Sequence, residues 1–280
     1  MTRLIRANLH RSLKNPLLWL LWIGSTVCGL LLGWESQKSP FLEDGYLLCF
    51  YLLLAVWIAF TVGRESEGLL RNKLTVGHSR AQLFFAELTV AFGVATVAML
   101  LLLAAFVPFV VGHSLAAPAA PLIGCAVGFW LATLSFASWY VMLSFSLPNR
   151  AASAVLSMLL TLGITFLIYQ IDHALWEPEF LYTTVGSGAG ASQIVEPNPR
   201  YVGGAWRRLQ TDVFEWLPYG TVIRYTELIR ALLWTWREPG AAILSTRELA
   251  LLWRLPIYST VNLLLGAGCG CWIFQRKNLK

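Results

Sequence analysis

Residues 84–112 read FFAELTVAFGVATVAMLLLLAAFVPFVVG, and this apolar run decides the fold class of the chain. Its one charged side chain is Glu87, close to the start of the run. A helix of about 20 apolar residues crosses the hydrocarbon core of a bilayer, so this run is longer than one crossing requires. We predict a membrane-spanning helix that tilts, kinks or projects from the bilayer, with Pro108 as a kink or an end.

The same apolar bias extends through the whole chain. Of its 280 residues, 57% are hydrophobic and 13% are charged, whereas a soluble globular protein carries roughly 25% charged residues. Further runs of sufficient length predict an all-α polytopic membrane protein that forms one transmembrane domain. The six spans lie at residues 17–33, 45–63, 84–112, 118–147, 151–170 and 254–274.

The N-terminal residues 2–14, TRLIRANLHRSLK, predict an amphipathic helix in the membrane interface. Ile5, Leu9 and Leu13 recur at helical spacing, and bases recur on another face. The apolar face would enter the acyl chains while the bases meet anionic headgroups. The run that follows ends in GWESQ without a small-x-small cleavage pattern, which favours a retained span over a signal peptide.

Lys and Arg concentrate at one side of the six spans. Both termini, the connector after the second span and the turn after the fourth are basic, whereas the short connectors of the other side contain only Lys38. Short basic flanks remain in the cytoplasm, so we predict cytoplasmic N- and C-termini. Residues 171–253 are then extracytoplasmic, because long segments are translocated regardless of their charge.

This extracytoplasmic segment combines Gly-rich and Pro-rich pieces with two apolar-aromatic runs, DVFEWLPYG and ELIRALLWTW. The two runs predict short helices that lie at the outer leaflet or dip into it. Trp216, Trp234 and Trp236 would anchor them, because amphipathic rings prefer the interface. A small subdomain outside the membrane is the alternative.

The connector between the second and third spans, GRESEGLLRNKLTVGHSR at residues 63–80, is the most charged stretch of the chain. Glu67 and Arg71 lie one helical turn apart in the favourable acid-first order. We therefore predict an amphipathic helix at residues 64–76 that lies across the cytoplasmic face.

Two signals predict a break after this helix. Gly77 is placed to end it as a C-terminal cap, and Ser79 with Gln82 fits a capping box that starts the next helix. The chain would turn there into the third span. A charged helix held between two spans is suited to docking a cytosolic partner and passing its movement to the membrane.

With these features the chain resembles the permease subunit of bacterial type-2 ABC exporters, whose fold is shared with the G subfamily of ABC transporters. The connector, ESEGLLRNKLTVGHSR, carries an E-x-x-x-G-x-x-x-K-L-like pattern in degraded form. The amphipathic N-terminal helix, the six spans, the tight turn LPNR after the fourth span, the insertion before the last span and the tail FQRKNLK fit the same architecture. The resemblance covers essentially the whole chain.

The resemblance implies that the connector is a coupling helix, which fits a groove on a separate ATPase subunit. The residues that take this role are Glu65, Glu67, Leu70, Arg71, Asn72, Lys73, Leu74 and His78. Asn149 and Arg150, in the turn after the fourth span, would form a second cytoplasmic contact. The membrane would be the bacterial cytoplasmic membrane.

The resemblance also implies a translocation path lined by the second and fifth spans, between two permease subunits that are identical or paralogous. Candidate lining residues are Phe50, Trp57, Thr161, Thr165 and Tyr169. The substrate would be hydrophobic or amphipathic, such as a membrane-active peptide or a lipid-like drug. The cofactors, ATP and Mg²⁺, would bind to the partner ATPase.

The absence of catalytic motifs from the sequence agrees with ATP hydrolysis by a separate subunit. The chain contains no G-x-x-x-x-G-K-[ST] phosphate loop, and GSGAGAS lacks the Lys, so it is read as a flexible linker. It contains no H-E-x-x-H and no G-x-S-x-G, and no basic aromatic module that would indicate a nucleic-acid partner. We expect a non-catalytic subunit with no metal and no cofactor of its own.

Two other classes of function remain open from the sequence. The chain could be a membrane anchor or sensor that transports nothing. It could also be a membrane enzyme that uses a carboxylate-His group outside the fifth span, formed by Asp172, His173, Glu177 and Glu179. A polar helix end is the simpler interpretation of that group, and packing is the simpler interpretation of the CGC motif at residues 269–271.

Overall fold

Nine helices and one two-stranded hairpin make up the residues that the computed structural model describes, which are 1–38, 45–62, 74–111, 119–147, 149–185, 192–235 and 246–277. The helices are α1 (Thr2–Leu13), α2 (Pro16–Lys38), α3 (Gly45–Val62), α4 (Arg80–Val111), α5 (Ala119–Ser146), α6 (Arg150–Trp176), α7 (Gly204–Trp216), α8 (Pro218–Thr235) and α9 (Thr246–Arg276). The strands are β1 (Phe180–Val185) and β2 (Ser192–Pro197).

Six of these helices, α2 to α6 and α9, are long and apolar enough to cross a membrane. The chain is therefore a multi-pass helical membrane protein, as the apolar runs predicted. The third span begins earlier than expected, at Arg80, and the fifth continues to Trp176. Pro108 lies inside α4 and does not end it.

The central helix of the bundle is α5. It packs along α9 most extensively and also contacts α3, α4 and α8, while α2 packs on α4 and α6 packs on α3. Aromatic side chains fill the contact between α3 and α5, where the ring of Tyr51 lies 4.4 Å from that of Phe136. Tyr140, one turn further along α5, is also completely buried.

The first helix is docked on the bundle, at the end that we call the α1 end. The guanidinium Nη2 of Arg11 donates to Oε1 of the buried Glu87 on α4 at 2.8 Å. Asn15, just after α1, donates from Nδ2 to Oγ1 of Thr61 on α3 at 3.3 Å. An ion pair and a hydrogen bond thus hold α1 against the starts and ends of the spans.

The face of α1 that packs on the protein is not the one that its apolar residues suggest. Leu4, Asn8 and Ser12 are buried, whereas Leu9 and Leu13 are exposed. The exposed leucines fit the predicted contact with acyl chains. The small polar residues Asn8 and Ser12 lie on the face of α1 that packs on the bundle, which sequence reasoning did not anticipate.

The opposite end, which we call the hairpin end, holds β1, β2, α7 and α8. The two strands pair antiparallel, with Phe180 opposite Pro197 and Val185 opposite Ser192. The sequence predicted an all-α fold, and this hairpin corrects that prediction. Asn198 fixes it to the end of α6, because its Nδ2 donates to Oε2 of Glu177 and to the carbonyl of Pro178, both at 2.9 Å.

Candidate functional site

The described part of the connector begins at Leu74 and shows how the chain turns into α4. Gly77 has a φ of 96°, in the left-handed region that favours glycine. Its N–H donates to the carbonyl of Leu74 at 3.0 Å, which closes the preceding helical turn. The predicted break at Gly77 is confirmed.

The predicted capping box is also confirmed. The backbone N–H of Gln82 donates to Oγ of Ser79 at 3.2 Å, and the N–H of Ser79 donates to Oε1 of Gln82 at 3.1 Å. These reciprocal bonds satisfy donors that a helix N-terminus leaves without partners. They fix the direction in which α4 leaves the connector.

Two bases at this end bind the C-termini of other helices. Arg80, the first residue of α4, donates from Nη1 to the carbonyls of Phe274 and Gln275 at 3.3 and 2.9 Å, and to that of Lys277. Lys277 donates from Nζ to the carbonyl of Phe145, near the end of α5, at 3.1 Å. Bases stabilise the negative ends of helix dipoles, so the exit of the connector is joined to α4, α5 and α9.

The residues expected to face an ATPase are placed only in part. Glu65, Glu67, Leu70, Arg71, Asn72 and Lys73 lie outside the described residues, as does most of the predicted helix 64–76. Leu74 is half-buried and packs against the core, and His78 is half-buried. Leu74 thus anchors the connector to the bundle, and its contact with a partner stays a prediction.

The expected second contact lies at the start of α6. Asn149 is exposed and caps this helix, since its Oδ1 accepts from the N–H of Ala151 at 2.9 Å. Arg150 is also exposed. The cap gives Asn149 a structural role whether or not a partner binds there.

A row of hydroxyl groups runs along the buried face of α6. Ser153, Ser157, Thr161 and Thr165 recur at every fourth residue and are buried. At 1.5 Å of rise per residue the row is about 18 Å long, more than half of the roughly 30 Å hydrocarbon core. We call it, with the facing Tyr51, Thr133, Tyr140 and Ser144 of α3 and α5, the hydroxyl seam.

Hydrogen bonds cross the seam at two levels. Oη of Tyr140 and Oγ1 of Thr161 are 2.6 Å apart, and Oγ of Ser144 and Oγ of Ser153 are 3.0 Å apart. Tyr51 and Thr133 join α3 to α5 with a contact of 3.3 Å between their hydroxyl oxygens.

Other polar atoms along the seam are buried without such partners. Oγ of Ser157, Oγ1 of Thr165 and Nε1 of Trp57 have no hydrogen-bond partner within the described part of the chain. A buried polar group that lacks a hydrogen bond costs roughly 1–3 kcal/mol. The seam is therefore only partly satisfied.

Two of the five predicted path residues lie in this seam, and two more are buried on α3, which contributes to it. Thr161 and Thr165 belong to it, and Phe50 and Trp57 are buried on α3. Tyr169 is 42% exposed. Sequence reasoning missed Ser153 and Ser157, although a small hydroxyl residue at every fourth position of α6 was visible in SAVLSMLLTLGIT.

The turn between α7 and α8 enters the bundle on the side of the seam that faces the hairpin end. The ring of Tyr219 lies 6.3 Å from Tyr51 and 6.5 Å from Tyr169. Asn262, halfway along α9, donates from Nδ2 to the carbonyl of Trp216 at 2.6 Å. The backbone of Trp216 is thus held against the middle of α9, while its side chain is 40% exposed, and its position at the interface stays a prediction.

Tyr225 of α8 is completely buried and sits directly over Gly128 of α5, where any side chain would collide with the ring. Burial raises the pKa of its phenol far above the ordinary value. The hydroxyl stays protonated, and it has no hydrogen-bond partner in the described residues.

The acidic-histidine group outside the fifth span does not converge on one point. Glu177 binds Asn198, and its Oε1 lies 4.0 Å from Nδ1 of the exposed His173. Asp172 lines a separate cavity, and Glu179 is exposed. Within the described residues no three His, Cys, Asp or Glu side chains are grouped to hold a metal.

No protein-family model matches the chain, and no curated protein matches it as a relative. The structure therefore defines a class, a multi-pass helical membrane protein with six helices able to span a bilayer. The resemblance to exporter permeases stays a prediction from the residues of the chain.

Proposed function

We propose that the chain is the permease subunit of an ATP-driven exporter in the bacterial cytoplasmic membrane. Two such subunits, identical or paralogous, would form the path, and separate ATPase subunits would supply ATP hydrolysis. The hydroxyl seam between α3, α5 and α6 is the observation that carries this proposal. Two of the three helices that form it, α3 and α6, are the spans that line the path in the family the chain resembles.

The partly satisfied hydroxyls favour a path over simple packing. Ser and Thr also join helices in membranes through close packing and hydrogen bonds. A row that served only packing would leave few buried polar atoms without partners, because each costs free energy in an apolar surrounding. Thr165 and Ser157 would gain partners when α6 moves away from α3 and substrate or water reaches the seam.

The chemistry of the seam fits an amphipathic substrate. Its residues offer hydroxyl donors and acceptors beside aromatic rings, and they include no carboxylate or amine that could carry protons across the membrane. A membrane-active peptide presents both an apolar face and backbone hydrogen-bonding groups. A lipid-like drug is the second kind of substrate that this lining suits.

Movement would reach the seam from the α1 end. With both termini in the cytoplasm, an ATPase subunit would push on the connector, which joins α4 through Gly77 and the capping box at Ser79. Arg80 would pass this displacement to the C-terminus of α9. The conformation described here has its seam closed by packing, so we assign it to a sealed state of the path.

Accessibility of Thr165 tests the path. In a Cys-free background reconstituted with the co-purifying ATPase, we expect Thr165→Cys to react with a water-soluble thiol reagent only when ATP is bound. Leu159→Cys is the matched control, because Leu159 lies on the same helix and is exposed on its apolar face. Leu159→Cys should stay unlabelled in every nucleotide state, because its exposed face on a membrane span meets lipid. Labelling of Thr165→Cys that does not change with ATP would contradict a path along the seam.

A further inference from the structure

A charged cavity of about 370 Å³ opens at the hairpin end of the bundle. Its walls come from the end of α6, from α7 and α8, and from the start of α9. Its volume falls within the range of roughly 300–1,000 Å³ typical of small-molecule sites. The charged side chains that line it are Asp172, Arg207, Glu215, Arg224 and Glu227.

Ion pairs within the protein neutralise two of the carboxylates. Oε2 of Glu227 lies 2.6 Å from Nη1 of Arg224. Oε2 of Glu215, which is almost fully buried, lies 3.3 Å from Nη2 of Arg254. A carboxylate has about four acceptor positions, so Glu227, whose side chain is partly exposed, can still accept a hydrogen bond from a cationic ligand.

Arg207 has no carboxylate partner within the described residues. Its Nη2 donates to the carbonyl of Leu175 at 2.5 Å, and its guanidinium carbon lies 4.9 Å from the centre of the Tyr201 ring. Its Nη1 is buried and finds no acceptor in the described part of the chain. Nη1 of Arg207 therefore still has hydrogens to donate, and a guanidinium group with free donors favours a phosphate or carboxylate oxygen.

An exposed apolar stripe leads along α6 to this cavity. Leu162, Phe166, Tyr169 and Trp176 follow one another at helical spacing, and all four are exposed. Trp176 is the last residue of the span and lines the cavity. Trp prefers the level of lipid headgroups, so an acyl chain on this stripe would place its headgroup at the cavity mouth.

We propose that the cavity binds the headgroup of a zwitterionic phospholipid. Arg207 receives the phosphate, the carboxylate of Glu227 receives the amine, and the acyl chains lie along the stripe on α6. The site requires a membrane but no ATPase, so this proposal can fail without contradicting the proposed transport function.

Native mass spectrometry of the full chain in detergent tests this site with phosphatidylethanolamine and phosphatidylglycerol as probes. We expect the wild type to retain more phosphatidylethanolamine, and Arg207→Gln to bind it about tenfold more weakly. Arg208→Gln is the matched control, because Arg208 is the neighbouring base on α7 and is exposed. Equal binding by the two variants would overturn the proposal.

A second variant reports on the amine and does not disturb the contact of Arg207 with Leu175. Glu227→Gln should lower the preference for phosphatidylethanolamine over phosphatidylglycerol, since a negative partner of the amine is lost. An unchanged preference overturns the zwitterionic assignment, including in the case where Arg207→Gln fails to fold. Displacement of the bound lipid by millimolar inorganic phosphate would show a site for a free anion and would also overturn it.

Discussion

Gly128 determines how closely α8 approaches the centre of the bundle. Tyr225 lies over it, and its ring is completely buried. We expect Gly128→Ala to destabilise the protein by about 1–3 kcal/mol through overpacking. Thermal unfolding in detergent measures this cost.

One turn earlier on α5, Gly124 provides the control. A Cβ there would lie 3.7 Å from Cδ2 of Leu252, an ordinary contact. Gly124→Ala should therefore leave the unfolding midpoint nearly unchanged. Equal loss of stability in both variants would mean that α8 is not held against Gly128 as described.

Single residues also show which parts of the candidate site the sequence reveals. Thr161 and Thr165 were candidates because the resemblance implies that the fifth span lines the path and because both carry hydroxyls. Burial of Phe50 and Trp57 could not be predicted, because lipid-facing and protein-facing positions of α3 are equally apolar. Phe60, on the same helix, is 36% exposed.

At the scale of elements, Arg80 connects the start of α4, where the connector ends, to the last carbonyls of α9. Arg80→Ala removes the donor that binds the last carbonyls of α9. We expect amide exchange in the last turn of α9 to become about tenfold faster, because hydrogen bonds to charged groups contribute roughly 1.5–3 kcal/mol.

Arg3 is an exposed base on α1 and supplies the control for this exchange experiment. Arg3→Ala should leave exchange in α9 unchanged. If Arg80→Ala also leaves exchange in α9 unchanged, Arg80 does not join α4 to α9. The proposal that movement of the connector reaches α9 through Arg80 is then wrong.

Elements differ in how clearly the sequence encodes them. The six spans follow from length and apolarity alone, because a bilayer requires long apolar helices. The α7–α8 turn could not be placed, since short apolar-aromatic runs suit an interface as well as a bundle interior. The hairpin escaped prediction because the glycine-rich stretch GSGAGAS between its strands was read as a flexible linker.

At the scale of the whole molecule, the fold joins two regions with different chemistry through one bundle. The α1 end carries the connector and the bases that bind helix C-termini, and the hairpin end carries the charged cavity. Between them lies the hydroxyl seam. This arrangement is compatible with the proposed function, in which an ATPase subunit moves the connector at the α1 end and the path opens towards the hairpin end.

Binding of an ATPase subunit to the connector tests the central claim most directly. Glu67→Lys and Arg71→Glu each reverse a charge on the predicted coupling helix. Like charges placed together at an interface cost several kcal/mol, whereas the same reversal on a solvated helix costs only a few tenths. The two cases differ by about a hundredfold in affinity.

The measurement is co-purification of an ATPase subunit with the tagged protein, followed by substrate-stimulated ATP hydrolysis in reconstituted membranes. Glu196→Lys, in the exposed hairpin at the other end, is the control. We predict that both connector variants lose the ATPase or its coupling while the six spans stay folded, and that the control keeps both. Full retention of binding and of stimulated hydrolysis by both connector variants would contradict the assignment of this protein as an exporter permease.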